Sequence, residues 1–251
     1  MVRAAARDVR LAAPAPHPRQ HVPRRRDRRR HRTQGDRMTT LDTFDLQAAR
    51  EDVLAYCLES VKLGLNFNTQ GNISLRIPGT STFLITPTDL EYDRMTPDDL
   101  VVVDEDANVV EGRLQPSSEV TVHLAVYAAR PDVQAIVHTE PTYANVFGVL
   151  GEPIRGALVN MVIYTKGDVP VMPFALSNST EFGRDMARYL EDRNAVVWAN
   201  HGLLTVGPNL RDAFKTSVAV ESAAKVLSAA RAVTDDPIVL DYASLGITHT
   251  L

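Results

Sequence analysis

The chain has 251 residues, 44% of them hydrophobic, and a formal net charge of −4. That length allows a sizeable buried core in one large domain with or without a tail, and its apolar runs, short and broken by charges, fall below the roughly 20 residues that a spanning helix needs. The only cysteine, Cys57, excludes an intrachain disulfide and fits a reducing compartment, so a soluble cytoplasmic protein without a membrane partner is expected.

The net charge hides two unlike parts. Residues 1 to 37 hold twelve Arg and three Asp, a net of +9, which leaves the rest of the chain at −13. This Arg- and Pro-rich tail has no apolar periodicity and cannot bury enough surface to offset its ordering entropy. It is expected to be disordered, with Met38 as the natural start and the upstream residues a mis-called leader. An arginine cluster can bind nucleic acid, but nucleic acid is not the expected partner. Residues 38 to 251 are expected to form the folded domain.

From Asp45 to Gly64, apolar residues at helical spacing (Leu46, Val53, Leu54, Cys57, Leu58, Val61), an acidic start and a closing glycine predict an amphipathic helix, in which Cys57 is a packing residue. NISLRIPG and TFLITP alternate as strands around a turn at Pro78-Gly79-Thr80, and LVVVD with ANVVEG resembles a hairpin around Glu105 and Asp106. Ser117 to Arg130 reads as a helix, its Ser-Ser-Glu opening suited to an N-terminus. DVQAIVH follows as a strand, TYANVFGVLG as a helix and VPVMPF as an extended piece. Thr180 to Arg193 is an amphipathic helix, AVVWAN a buried strand and Leu210 to Thr234 a long helix. Strands and helices in this order predict a sheet flanked by helices, of the α/β or α+β kind.

Three acid or imidazole positions fall at strand ends or helix starts: Glu119, His138 with Glu140 two residues on, and His201 after AVVWAN. Singly, each is an ordinary residue, and Glu119 suits a first helical turn. Together, two imidazoles and a carboxylate make a three-ligand set with open positions, the arrangement of a catalytic metal. Thr69-Gln70-Gly71-Asn72, Thr86-Pro87-Thr88 and Ser117-Ser118 form a second constellation. Hydroxyls, a flexible glycine and free N–H groups can cradle an oxyanion without a cationic side chain.

In four ordered motifs, GLNFNTQGNISLR, LITPTDLEYDRMTPDDLVVVD, EGRLQPSSEVTVHLAVYAARPDVQAIVH and VVWANHGLLTVG, the chain resembles the class II aldolase/adducin superfamily, in particular its L-fuculose-1-phosphate aldolase branch. The resemblance runs from about Leu46 to Val233. It implies a central, largely antiparallel sheet flanked by helices and a homotetramer with active sites between subunits. It also implies roles: Glu119 as catalytic acid/base, His138 and His201 as metal ligands, and Thr69, Gly71, Asn72, Thr88, Ser117 and Ser118 as a phosphate cradle. His123 and Tyr127 fall in the same SSExxxHxxxY pattern, and His123, one turn beyond Glu119, is read as packing.

Three departures stand out. Where the family has His-x-His, this chain has His138-Thr139-Glu140, so Glu140 is expected as the third ligand. It lowers the charge of the site and the Lewis acidity of the ion; zinc is the expected metal, with manganese, iron or cobalt as alternatives. Asp89 stands where a glycine follows the second Thr, so a carboxylate borders the cradle, and Asp89 is a residue that tolerates a left-handed turn. Asn160 occupies the place of a proton-donating tyrosine, with Tyr164 or Tyr242 as substitutes off the matched position.

The expected activity is metal-dependent cleavage of a carbon–carbon bond in a small ketose, a ketose 1-phosphate in the first instance, through an enediolate stabilised by the ion, with Glu119 moving the proton. The alternatives are a sugar-phosphate 4-epimerase, a decarboxylase or a dehydratase using the same site, and a non-catalytic binding module like the head of adducin.

Overall fold

Asp45 opens the first helix, α1 (Leu46–Lys62), by accepting a hydrogen bond from the Ala48 N–H at 3.0 Å; Gly64, at φ +69°, turns the chain away after it. The computed structural model describes residues 44–175, 180–242 and 244, and all of these belong to one compact unit. The predicted disorder of residues 1 to 37 lies outside the described residues, as does the start at Met38.

Two hairpins follow: β1 (Asn72–Arg76) with β2 (Thr82–Ile85), then β3 (Val101–Asp104) with β4 (Val109–Glu111), the latter pair around the expected turn. After α2 (Val120–Ala129) come β5 (Ala135–Thr139), α3 (Thr142–Leu150) and α4 (Val159–Thr165). The chain continues through β6 (Val171–Met172), α5 (Thr180–Leu190), β7 (Ala195–Trp198) and β8 (Gly202–Gly207) into α6 (Leu210–Arg231), which Asn209 caps.

The eight strands form one sheet in the order β4-β3-β2-β1-β5-β8-β7-β6, antiparallel throughout except between β6 and β7. The expected mixed architecture, a largely antiparallel central sheet flanked by helices, is the one observed. One face packs on α2 and α5, with Ile136, Leu204, Val206 and Trp198 against Val122, Val126, Phe182 and Met186. The other packs on α1, α3, α4 and α6, where Val137, Val197 and Leu203 are buried beside Val53, Phe147, Met161, Phe214 and Val220. Each fully buried aliphatic side chain of this kind contributes about 1.5–3 kcal/mol.

Three elements differ from the sequence reading. Gly202–Gly207 is a strand buried along its whole length, so it lacks the alternation of polar and apolar residues that marks a half-exposed strand. Val159–Thr165 is a short helix that sequence spacing left unassigned. The helix expected from Ser117 begins at Val120, and Ser117 and Ser118 precede it. Among the described residues, no helix is long and apolar enough to cross a membrane.

Candidate active site

The register of the central strands gathers the site. Asn72 of β1 pairs with His138 of β5, which pairs with Leu204 of β8, so residues from three strands stand side by side at one end of the sheet. The turn between β7 and β8 bends through Asn200, at φ +57°, and returns His201 to the same end.

Glu119 occupies the N-cap position of α2, yet its side chain makes no capping bond. Its carboxylate turns inward instead, with Oε1 3.1 Å from His201 Nε2 and Oε2 3.3 Å from His138 Nε2. Asn72 Nδ2 donates to Oε2 at 2.9 Å. Burial opposes ionisation of Glu119, but the neighbouring His138 and the hydrogen bonds with His201 and Asn72 outweigh it and hold the carboxyl well below the usual carboxylate range.

The donor set fits a divalent ion. His138 donates its Nδ1–H to the Leu203 carbonyl at 3.1 Å, which leaves a lone pair on Nε2. That lone pair faces His201 Nε2 at 3.2 Å, and the three ligand atoms all lie within 4.8 Å of one another. Tetrahedral bonds of about 2.0 Å place ligand atoms about 3.3 Å apart, the spacing seen here. His138 Nε2, His201 Nε2 and the Glu119 carboxylate thus converge at the spacing that would hold a divalent cation.

Glu140 lies outside this group of three. Its backbone N–H donates to the Asn66 side-chain oxygen and to the Leu65 carbonyl, both at 3.0 Å. Its Cγ is 3.1 Å from where a Cβ on Gly202 would stand, and that Cβ would also lie 2.7 Å from His138 Cε1. Gly202 therefore leaves the space that the Glu140 and His138 side chains share.

The oxyanion constellation is laced together by Thr86. Its hydroxyl accepts from the Ile73 N–H at 3.2 Å, and its carbonyl accepts from the Ser117 N–H at 3.0 Å. Thr88 N–H donates to the Gln115 carbonyl at 3.0 Å, so the segments carrying Thr88 and Ser117 run side by side. Thr69, Thr88 and Ser118 are exposed. Ser117 is buried, with its hydroxyl accepting from the Glu119 N–H at 3.3 Å, and Asn72 is buried against Glu119. Gly71 has φ +74°, and a Cβ there would lie 2.5 Å from the Asn66 amide. Asp89 is exposed at φ +54°, the left-handed conformation in which a glycine is at home.

The amino-acid sequence matches the family described as Class II Aldolase and Adducin N-terminal domain over residues 51–228. The chain belongs to that family.

An L-fuculose phosphate aldolase from Escherichia coli is 33% identical to this chain over 196 residues, 78% of this chain and 89% of the relative. A 5-deoxy-D-ribulose 1-phosphate aldolase from Bacillus thuringiensis serovar kurstaki is 33% identical over 181 residues, 72% of this chain and 84% of the relative. Among solved structures, an L-fuculose 1-phosphate aldolase superposes with a TM-score of 0.75 at 33% identity, covering 85% of this chain and 97% of that one. The chain is an enzyme of the aldolase type; an epimerase, a decarboxylase, a dehydratase and an adducin-like binding module are not favoured.

His123 of the aldolase is buried, and its Nδ1 lies 2.7 Å from the Ser74 hydroxyl, which in turn lies 2.9 Å from the Tyr127 hydroxyl. Burial pushes the His123 pKa down to about 3 against the opposing pull of Glu119, so the ring is neutral. Asn160 is exposed on α4, Tyr164 is half-buried, and the Tyr242 ring packs over Gly156 and Gly167. Sequence reasoning missed Asn66 and the Leu203 carbonyl, because nothing in a loop asparagine or a main-chain oxygen signals chemistry before strands are paired. Trp198, whose ring stacks on His201 at 3.7 Å between centroids, was read as a strand residue alone.

Proposed function

We propose that the protein cleaves a small ketose 1-phosphate by a retro-aldol reaction at the Glu119, His138 and His201 cluster. The observation that carries this reading is the convergence of a buried carboxylate and two imidazole Nε2 atoms at 3.1–3.3 Å. The relatives named as L-fuculose phosphate and 5-deoxy-D-ribulose 1-phosphate aldolases support the substrate class.

His138 and His201 would hold a divalent ion, zinc in the first instance, with Glu140 turning in as a third ligand. When bound, the ion supplies Lewis-acid stabilisation of the negative charge that develops on the sugar oxygens as the carbon–carbon bond breaks. Glu119 moves the proton. In the synthetic direction its carboxylate takes a proton from the carbon beside the ketone, and in the cleavage direction the same proton returns to that carbon. Asn72 fixes the carboxylate by its 2.9 Å hydrogen bond. Thr69, Gly71, Thr88, Ser117 and Ser118 receive the phosphate through hydroxyl and backbone N–H groups.

The assembly proposed is a homotetramer with sites between subunits, supported by the exposed Val146, Val149, Leu150 and Val159 on α3 and α4. The compartment proposed is the cytoplasm, supported by the single reduced, buried Cys57.

The test is turnover of L-fuculose 1-phosphate and 5-deoxy-D-ribulose 1-phosphate by the purified protein, followed through release of dihydroxyacetone phosphate, before and after chelation. Loss of turnover on metal removal and recovery on adding zinc is expected. Unchanged turnover in fully metal-free protein would refute the reading.

A further inference from the structure

We infer that Trp198 is the positioning residue of His201, its indole face orienting that imidazole as the Leu203 carbonyl orients His138. This deepens the reading of His201 as a metal ligand and rests on it.

The two histidines are held in different ways. His138 is 2% exposed at its side chain, and its Nδ1 is tied to a main-chain oxygen. His201 is 27% exposed, and among the described residues no protein group accepts a hydrogen bond from its Nδ1. A metal-binding imidazole ordinarily has its second nitrogen fixed by such an acceptor, which sets both tautomer and ring plane. At His201 the neighbour that defines the ring plane is Trp198, with centroids 3.7 Å apart and planes inclined by 23°.

The backbone builds this stack. Trp198 ends β7 and pairs with Gly202 across the sheet. The left-handed turn at Asn200 and the hydrogen bond from the His201 N–H to the Trp198 carbonyl, 3.1 Å, fold the imidazole back over the indole. The indole is itself fixed, 2% exposed and packed against Phe182 at 4.4 Å between ring centroids. Among the described residues, its Nε1–H is buried without a hydrogen-bond partner. An unpaired buried donor destabilises the fold, and a phenylalanine would remove that penalty while keeping an aromatic face. The face and the N–H thus separate by substitution.

The experiment uses the full chain and Zn2+ as the probe, with the dissociation constant read by competition against a chromophoric chelator. Trp198→Leu raises that constant about 10- to 100-fold, the usual effect of removing an outer partner of a metal ligand, whereas Trp198→Phe changes it less than about threefold. The absorption of bound Co2+ gives a second reading: the phenylalanine variant keeps the spectrum of the unsubstituted protein and the leucine variant does not. His201→Ala separates the two levels of inference. If it leaves Zn2+ affinity unchanged, the ligand reading fails; if it abolishes binding while Trp198→Leu binds as the unsubstituted protein does, only the positioning inference is overturned. Should the leucine variant not fold, the unsubstituted protein still decides the matter. The ring protons of His201, observed with selectively labelled histidine, are shifted upfield by the indole with and without Zn2+, and unshifted protons would overturn the inference.

Discussion

Gly71 and Gly64 allow an internally controlled test of how the loop after α1 supports the site. Both are left-handed, at φ +74° and +69°, but among the described residues a Cβ on Gly64 meets nothing within 4 Å, whereas one on Gly71 lies 2.5 Å from the Asn66 side-chain nitrogen and oxygen. Alanine at either position carries the left-handed strain of an L-residue, about 1–2 kcal/mol. At Gly71 the Asn66 amide must also move. That amide is buried and bridges two elements, donating to Ser60 Oγ at 3.1 Å and accepting from the Glu140 N–H at 3.0 Å. Overpacking costs about 1–3 kcal/mol, and a buried polar group left unpaired costs about 1–3 kcal/mol; the two overlap, so Gly71→Ala should be less stable than Gly64→Ala by about 2–4 kcal/mol. Urea unfolding followed by circular dichroism at matched protein concentration measures this difference. In the Asn66→Ala/Gly71→Ala double variant the losses should fall short of additive. Because Asn66 holds the backbone of Glu140, two residues from His138, Gly71→Ala should also weaken Zn2+ binding while Gly64→Ala leaves it unchanged. Equal unfolding midpoints and slopes for the two glycine variants would refute the reasoning.

Glu119→Ala should lower turnover by about 100- to 10,000-fold, the range for loss of a positioned acid/base. Glu140→Ala should instead act mainly on metal affinity, by about 10- to 100-fold, and full metal occupancy in that variant would contradict Glu140 as a ligand. Burial pushes the Cys57 thiol well above its ordinary range. Its unfolded value is about 8.5, so between the two values only the unfolded chain loses the proton, and stability falls as pH rises above about 8.5, by about 1.4 kcal/mol per pH unit. Cys57→Ala should flatten that part of the alkaline stability profile, and an unchanged slope would count against a buried thiol. Deleting residues 1 to 37 should leave turnover unchanged, and salt-sensitive nucleic-acid binding lost with the deletion would assign the basic tail a role.

The strands that carry His138 and precede His201 were legible because each is a run of buried apolar residues followed by a polar one, and the motifs around Glu119 and Asn72 signalled the fold. What local pattern cannot carry is which strands are neighbours. The pairing of Thr139 with Leu203, residues far apart in the chain, brings the two imidazoles together. The strand Gly202–Gly207 was hidden because both faces of the sheet are covered there, leaving no alternation to read. Val159–Thr165 was hidden for the opposite reason: seven residues rich in β-branched side chains have weak helical propensity, and Met161 and Val162 become helical by packing into the core beside α6.

Charge explains why the substitution of a carboxylate for an imidazole at Glu140 reaches beyond that residue. Imidazole ligands would leave a divalent ion its full charge; one carboxylate would reduce it to +1, and Glu119 and Glu140 together would cancel it. A neutral centre would attract a phosphorylated, anionic substrate less and polarise a carbonyl less, which favours one carboxylate rather than two as a ligand to the ion. The geometry divides their roles. Glu119 is fixed by Asn72 and faces both imidazoles, whereas the Glu140 side chain stands over Gly202, outside the converged group.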